Sequence, residues 1–324
     1  MKLYEIGEKK LIEEIISILP MSMGVLKEDD VADLKFNELY LALKIDGFSA
    51  SLAKLPWTTW GDLGWKAVTA TTSDIIVKGA KPLGYLISIG VPKNFNYNDF
   101  RTFISGIKEA LDYYEVKCFG GDLNASEKDV WIDIAGLGEF KVKPIPMSGA
   151  KPGLMVLATG VFGLTGMGIN AYFNGRNIEM FKNCLNAIKR PKARTNLLDL
   201  LIKYRSCIYA STDVSDGLAY SLWNIARRSK VCIELTNIPI HDEVLEYARM
   251  YNEDPTKLAL YGGEEFEAIL IVDGECTKDL IHEAEDHGLS ISVIGKTSIG
   301  HGVYYKGKLV ESIGWDNIKG YTKL

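Results

Sequence analysis

The sequence predicts a mixed α/β, or α+β, protein of two domains. Three observations carry this. The chain has 324 residues, room for two domains at roughly 150 residues each. Strand-like apolar runs alternate with amphipathic helical runs along nearly its whole length. One stretch rich in proline and glycine, "KPIPMSGAKPG" at 143–153, interrupts that alternation near the middle. The boundary placed there gives domains at 1–145 and 146–324.

The first half opens with a helix over about 7–18, then a strand at 39–46, "LYLALKID". "GDLGWKAVTATTSDIIVKGAKP" reads as a helix: an Asp lies near its first turn, it stops at Gly79, and Pro82 follows. A strand at 83–92, a helix at 98–115, and strands at 116–122 and 130–140 complete this half. In the second half strands are expected at 154–160, 207–213, 231–236, 267–272, 291–297 and 303–310. Helices are expected at about 181–189, 194–204, 217–228, 241–251 and 277–287. "ATGVFGLTGMG", 158–168, reads as a glycine-rich turn. Its N–H groups either form a phosphate nest or belong to a loop that needs positive φ.

Composition narrows the function. A hydrophobic share of 47% and a charged share of 24% describe an ordinary globular protein. A net charge of −5 argues against a nucleic-acid surface. No apolar run approaches the roughly 18 residues that span a membrane. The acidic start, "MKLYEIGEKKLIEEI", lacks the apolar core of a secretory signal. Five scattered cysteines with no C-x-x-C pair fit reduced thiols in a cytoplasmic protein. Four dispersed histidines argue against zinc and against a histidine triad.

The acids are the informative residues. Asp29 and Asp30 are adjacent, Asp46 ends an apolar strand beside Gly47, Asp122 ends "FGGD", and Asp213 and Asp216 flank Ser215. Asp74 shares a helix face with Ala67, Ala70 and Thr71. A carboxylate on a packed face is costly unless paired or bound to a cation; Lys78, four residues on, is the ordinary partner. Singly, each acid also has an ordinary role, such as capping a helix or serving a turn. Together they suggest a shared hard-cation site. Oxygen ligands without His or Cys point to Mg²⁺, which works with phosphates. No G-x-x-x-x-G-K-[ST] is present, so a P-loop is not supported.

The order of motifs is more specific. "EDDVA", Asp46 after a strand, "DLGWKAVTATTSDIIVKGAKP", "FGGD", "MSGAKPG", "TGVFGLTGMG", "DVSDGL", "GGEEFE" and "IGWDNIKGY" follow one another from about residue 8 to 320. This series resembles the thiamine-monophosphate kinases. Their superfamily includes aminoimidazole ribonucleotide synthetase, selenophosphate synthetase and a hydrogenase-maturation protein. The closing "GWDN" favours the kinase branch.

The resemblance implies a homodimer whose N-terminal halves join into a β-barrel, with a C-terminal α/β layer beside it. It implies ATP in a cleft between the domains and phosphoryl transfer to thiamine monophosphate with Mg²⁺. Asp30, Asp46, Asp74, Asp122, Asp213 and Asp216 fall on metal-binding aspartates of the family, and Asp46 and Asp122 carry the catalytic assignment. Gly121, Asp122 and Ser215 fall on nucleotide positions, and Glu265 and Trp315 on those that hold thiamine. The acceptor side departs from the family pattern. Ile45 replaces a Thr before Asp46. Ala53 replaces a substrate-contacting His, leaving Lys54 beside it as the nearest cation. Met147 replaces an Arg near the nucleotide. Two further readings fit the same fold: an ATP-dependent enzyme with another acceptor, and a non-catalytic partner protein.

Overall fold

The computed structural model describes residues 2–19, 24–27 and 29–320; Glu28 of the "EDDVA" motif lies outside them. Two sheets divide the chain. The first contains β1 (Ala32–Phe36), β2 (Leu39–Ser49), β3 (Ala80–Pro92), β4 (Lys117–Ser126) and β5 (Trp131–Phe140). Its order is β1-β2-β5-β3-β4, with β3 and β4 parallel and the other pairs antiparallel. Side chains alternate along β2. Ala42, Lys44 and Asp46 face the helix Trp60–Val77, while Leu39, Leu43 and Ile45 are exposed on the other face. That second face stays open in the single chain. Leu43, Leu86, Leu137 and Phe119 surround a shallow apolar hollow of about 550 Å³ there. The sheet is not closed into a barrel within one chain.

The helix Trp60–Val77 is the hub. It starts at a capping box, in which Thr59 Oγ1 accepts from Asp62 N–H and Asp62 Oδ2 accepts from Thr59 N–H. Every residue except Trp60 and Ala70 is buried, because the first sheet, the helix Tyr97–Tyr113 and the second sheet all pack on it. The two helices touch through glycine: a Cβ on Gly64 would lie 2.3 Å from Phe103 O, and one on Gly106 1.9 Å from Gly61 O.

The second sheet contains β6 (Met155–Thr159), β7 (Ile208–Asp213), β8 (Cys232–Leu235), β9 (Ala268–Val272), β10 (Ile291–Ser298), β11 (Gly302–Tyr305) and β12 (Lys308–Leu309), in the order β12-β11-β8-β10-β6-β9-β7. Every residue of β9 is buried, as a strand covered on both faces must be. Three local readings change. The second half of the glycine-rich turn at 158–168 belongs to the helix Leu164–Phe173. The strand expected at 303–310 is the hairpin β11–β12. A short helix, Pro255–Tyr261, starts with Pro at its first turn and an Asp254 cap.

The expectation of reduced thiols is corrected. Cys207 and Cys276 form a disulfide that ties the start of β7 to the helix Gly274–Asp286. The partners are 69 residues apart, so no local spacing announces them. Cys118, Cys184 and Cys232 are free. No helix among the described residues is long and apolar enough to cross a membrane. The N-terminal helix Glu8–Ile18 does not join the first sheet's core. It lies against the C-terminal segment: Glu8 accepts from the backbone N–H and the side-chain amide of Asn317, and Lys9 Nζ sits 3.4 Å from the centre of the Tyr220 ring.

Candidate active site

A cleft of about 500 Å³ opens between the two sheets. β2 contributes Lys44 and Asp46, the hub helix Lys66 and Asp74, the turn after β7 Ser215 and Asp216, and the chain's last part Trp315. The local folds explain each placement. Asp74 is carried inward on the buried helix. Asp213 ends β7 and is held by two hydroxyls, Ser73 Oγ at 2.7 Å and Ser215 Oγ at 3.1 Å. Thr212 Oγ1 donates to Asp30 at 2.9 Å.

Three of the sequence-predicted metal aspartates therefore converge. Asp30, Asp74 and Asp213 can each offer one carboxylate oxygen within 4.8 Å of the others. That spacing lets one cation touch all three. Asp46 and Asp216 line the same cleft. Asp122 and Gly121 do not join them. Both lie exposed on the edge strand β4, where Asp122 pairs with Ser88 of β3 and Gly121 with Ile87. Three strand spacings separate β4 from β2, about 14 Å along the sheet.

The lysines are arranged differently from the sequence expectation. Lys78 does not hold Asp74. Its ammonium binds Asp29 at 2.6 Å, Asp30 at 3.0 Å and the carbonyl of Ser211 at 2.5 Å. Asp29 also accepts from Met147 N–H, so it anchors the segment between the sheets. The partner of Asp74 is Lys44, at 2.5 Å, across from β2. Alternation along β2 could have suggested this, since Lys44 shares the inward face with Ala42 and Asp46.

The acids resist ionisation together. Burial pushes Asp74 well above the usual carboxylate range, against the opposing pull of Lys44, and Asp213 and Asp30 add repulsion. Burial and Asp30 push Asp213 up to about 7. Burial, with Glu8, Asp213 and Asp46, pushes Asp216 up to about 8. Asp30 alone is lowered: Lys78 and Lys44 outweigh its burial. Positive charge is in deficit here, and a divalent cation bound by oxygen ligands would supply it.

At the other end of the cleft Lys66 is buried. Its ammonium donates to Glu264 at 2.7 Å and to the carbonyl of Ala53 at 3.1 Å, and lies 5.2 Å from the Phe48 ring centre. Sequence reasoning missed it because its partner Glu264 lies 198 residues away. Lys54, the cation suggested by sequence, points elsewhere, 5.9 Å from the Trp60 ring centre. Trp315 is pinned by its backbone N–H to Asp216 O. Glu264 and Phe266 both have positive φ, 66° and 51°, a strained turn of the kind that gathers at functional sites.

The glycine-rich turn is spoken for by the chain itself. Glu265 Oε1 accepts from Gly163 N–H at 2.7 Å, Thr165 N–H at 3.3 Å and Thr165 Oγ1 at 3.0 Å, at the N-terminus of Leu164–Phe173. Burial nevertheless raises Glu265 to about 8. It lines a second hollow of about 320 Å³, which meets the cleft at Glu264.

Known proteins are similar to this chain in sequence and in fold. A family model described as AIR synthase related protein, N-terminal domain, matches residues 28–140. The thiamine-monophosphate kinase of Pyrococcus horikoshii is 31% identical over 298 residues, covering 90% of this chain and 91% of that protein. That of Aquifex aeolicus is 30% identical over 319 residues, covering 97% and 99%. A solved structure of AaThiL complexed with AMPPCP and TMP superposes with a TM-score of 0.86 at 28% identity, covering 98% of each chain.

Proposed function

The chain belongs to the thiamine-monophosphate kinase family, and from that premise we propose that it transfers the γ-phosphoryl group of ATP to the phosphate of thiamine monophosphate, giving thiamine diphosphate. The observation that carries this for the chain itself is the convergence of Asp30, Asp74 and Asp213 at the wall of a cleft that Asp30, Asp46, Asp74 and Asp216 line. A cleft with so many carboxylates binds a polyphosphate only when cations bridge the two. Asp30, Asp74 and Asp213, with Asp46 and Asp216 at the margin, would hold Mg²⁺, which would supply that charge neutralisation.

The chain's own groups do the rest. The acceptor phosphate is already an anion, so no strong general base is needed, and positioning dominates. Ser215, beside Asp213, meets the nucleotide. Lys66 stands between the aspartates and the Glu264 end and offers a fixed positive charge to the acceptor phosphate; Lys54 is the second candidate, farther from the cleft wall. Trp315 stacks on the cationic ring of the acceptor, and Glu265 bounds the hollow beyond it.

The enzyme works as a cytoplasmic homodimer. The open face of the first sheet supports this, because Leu43, Leu86, Leu137 and Phe119 and the unpaired edges need a cover. A second copy closes two such sheets into a barrel. It also gives Gly121 and Asp122 a role that they cannot reach in their own chain, by bringing them to the partner's nucleotide and metal site. The N-terminal domain, 1–145, then carries dimerisation and metal binding, and 146–324 completes the cleft.

The test is an assay of purified protein with ATP, Mg²⁺ and thiamine monophosphate, with thiamine diphosphate resolved chromatographically. Product formation is expected. Intact MgATP binding without product would transfer the same chemistry to another acceptor, a reading that Ala53 and Ile45 favour because neither can supply the polar group of the family pattern.

A further inference from the structure

Lys44 is the feature of the cleft that the family reading does not absorb. Strand alternation turns it to the same side as Asp46, and its ammonium lies 2.5 Å from Asp74 Oδ2, one of the three carboxylates that can share a cation. The two lysines of this region are not alike. Lys78 is fully buried and its three N–H donors meet three acceptors, on Asp29, Asp30 and Ser211, so it serves as a fixed strut behind the cluster. Lys44 reaches the cluster from the cleft side, and Asp74 is its ion-pair partner among the described residues. The next residue, Ile45, stands where the family pattern has a hydroxyl, and it is 67% exposed on the opposite face. Two successive residues of β2 thus offer no ligand to a metal ion, and one of them places a positive charge against a metal-binding carboxylate.

We propose that Lys44 is a tethered cation that occupies one cation position of the Asp30–Asp74–Asp213 cluster, so that this chain binds one divalent ion fewer than its carboxylates would hold without it. A charge on the chain itself sits at high effective concentration and costs no metal to maintain. It neutralises Asp74 whether or not nucleotide is bound, and an incoming divalent ion that approached Asp74 from β2 would have to displace it.

The proposal rests on the reading of the cluster as a metal site, and the experiment separates the two. Mn²⁺ bound in the presence of a non-hydrolysable ATP analogue is counted by electron paramagnetic resonance for the natural protein, Lys44→Met and Lys44→Arg. Lys44→Met is expected to bind one further Mn²⁺, and Lys44→Arg to keep the natural count. Equal counts and affinities in the natural protein and Lys44→Met would overturn the role of Lys44. Failure of the natural protein to bind any Mn²⁺ would overturn the metal reading itself. Should Lys44→Met not fold, crystals of the natural protein soaked in Mn²⁺ decide the matter. The Lys44–Asp74 contact is expected to persist, with any anomalous peak at the cluster lying away from the ammonium position; a peak at the ammonium position, with Lys44 swung out, would overturn the proposal.

Discussion

The ammonium of Lys78 is bound to Asp29, at 2.6 Å, and not to Asp74 one helical turn before it. Asp74 is therefore not explained as half of a helical ion pair. Its carboxylate is paired with Lys44, at 2.5 Å, among other buried acids that repel it, so removing its charge relieves that repulsion but takes the partner from Lys44. Asp74→Asn is expected to fold but to melt somewhat lower than the natural protein without metal, because Lys44 loses its partner. It should lose the Mg²⁺-dependent gain in melting temperature and about 100-fold or more in turnover, the scale of one aimed electrostatic group. Normal turnover in the folded variant would remove Asp74 from the metal site.

Lys66 and Lys54 make opposite predictions for the acceptor. Lys66→Gln should raise KM for thiamine monophosphate about tenfold or more while KM for ATP hardly moves, because a hydrogen bond to a charged group contributes about 1.5–3 kcal/mol. Lys54→Ala should change neither by more than about twofold, the ordinary range for a surface substitution. The reverse outcome would return the acceptor contact to Lys54.

Shared sites can be detected by mixing. If Asp122 serves the partner's cleft, Asp74→Asn and Asp122→Asn are each inactive alone. In heterodimers assembled from the two, one cleft receives both defects and the other receives neither. A random mixture should then recover about a quarter of the natural activity, given a two-fold dimer with two sites. No recovery in verified heterodimers would place Asp122 in its own chain's site or in none.

The raised acids set a pH dependence with a definite sign. Asp213, Asp216 and Glu265 titrate near 7, 8 and 8 in the fold, from ordinary values of 3.8, 3.8 and 4.5. Between those limits the folded chain holds more protons than the unfolded one. Their contribution is therefore fully present below about pH 4 and is lost as pH rises towards 8. Melting temperature in EDTA should fall between about pH 5 and 8, and Mg²⁺ should flatten the part due to Asp213 and Asp216. A rise over that range in EDTA would contradict the burial of these groups.

Much of this was legible in the sequence where chemistry is local. The hub helix announced itself by its composition and its stop at Gly79, and the strands of the first sheet by their apolar runs. Asp46 and Asp216 stand out as acids beside glycine and Asp74 as an acid on a packed helix face, and the family resemblance gathers them with Asp30 and Asp213. What stayed hidden depends on long-range pairing. Lys44 meets Asp74 across 30 residues and Lys66 meets Glu264 across 198, and neither spacing carries a pattern. The nest at 158–168 looked open because its occupant, Glu265, lies 100 residues or more downstream. The Cys207–Cys276 bond was invisible for the same reason.

The contact between Glu8 and Asn317 joins positions 309 residues apart. Closing a flexible loop of that length costs on the order of 5 kcal/mol in chain entropy, and two hydrogen bonds at an exposed site do not return it. The clasp can form only after both sheets have already brought its ends together. It is thus the last piece of the cleft wall to assemble and the first to let go. Amides of the helix Glu8–Ile18 should exchange with deuterium far faster than those of β9, and added nucleotide should slow them if it fills the cleft as proposed, since Glu8 and Ile12 line it. The order of exchange would then report occupancy of the site from a segment that contributes no aspartate to it.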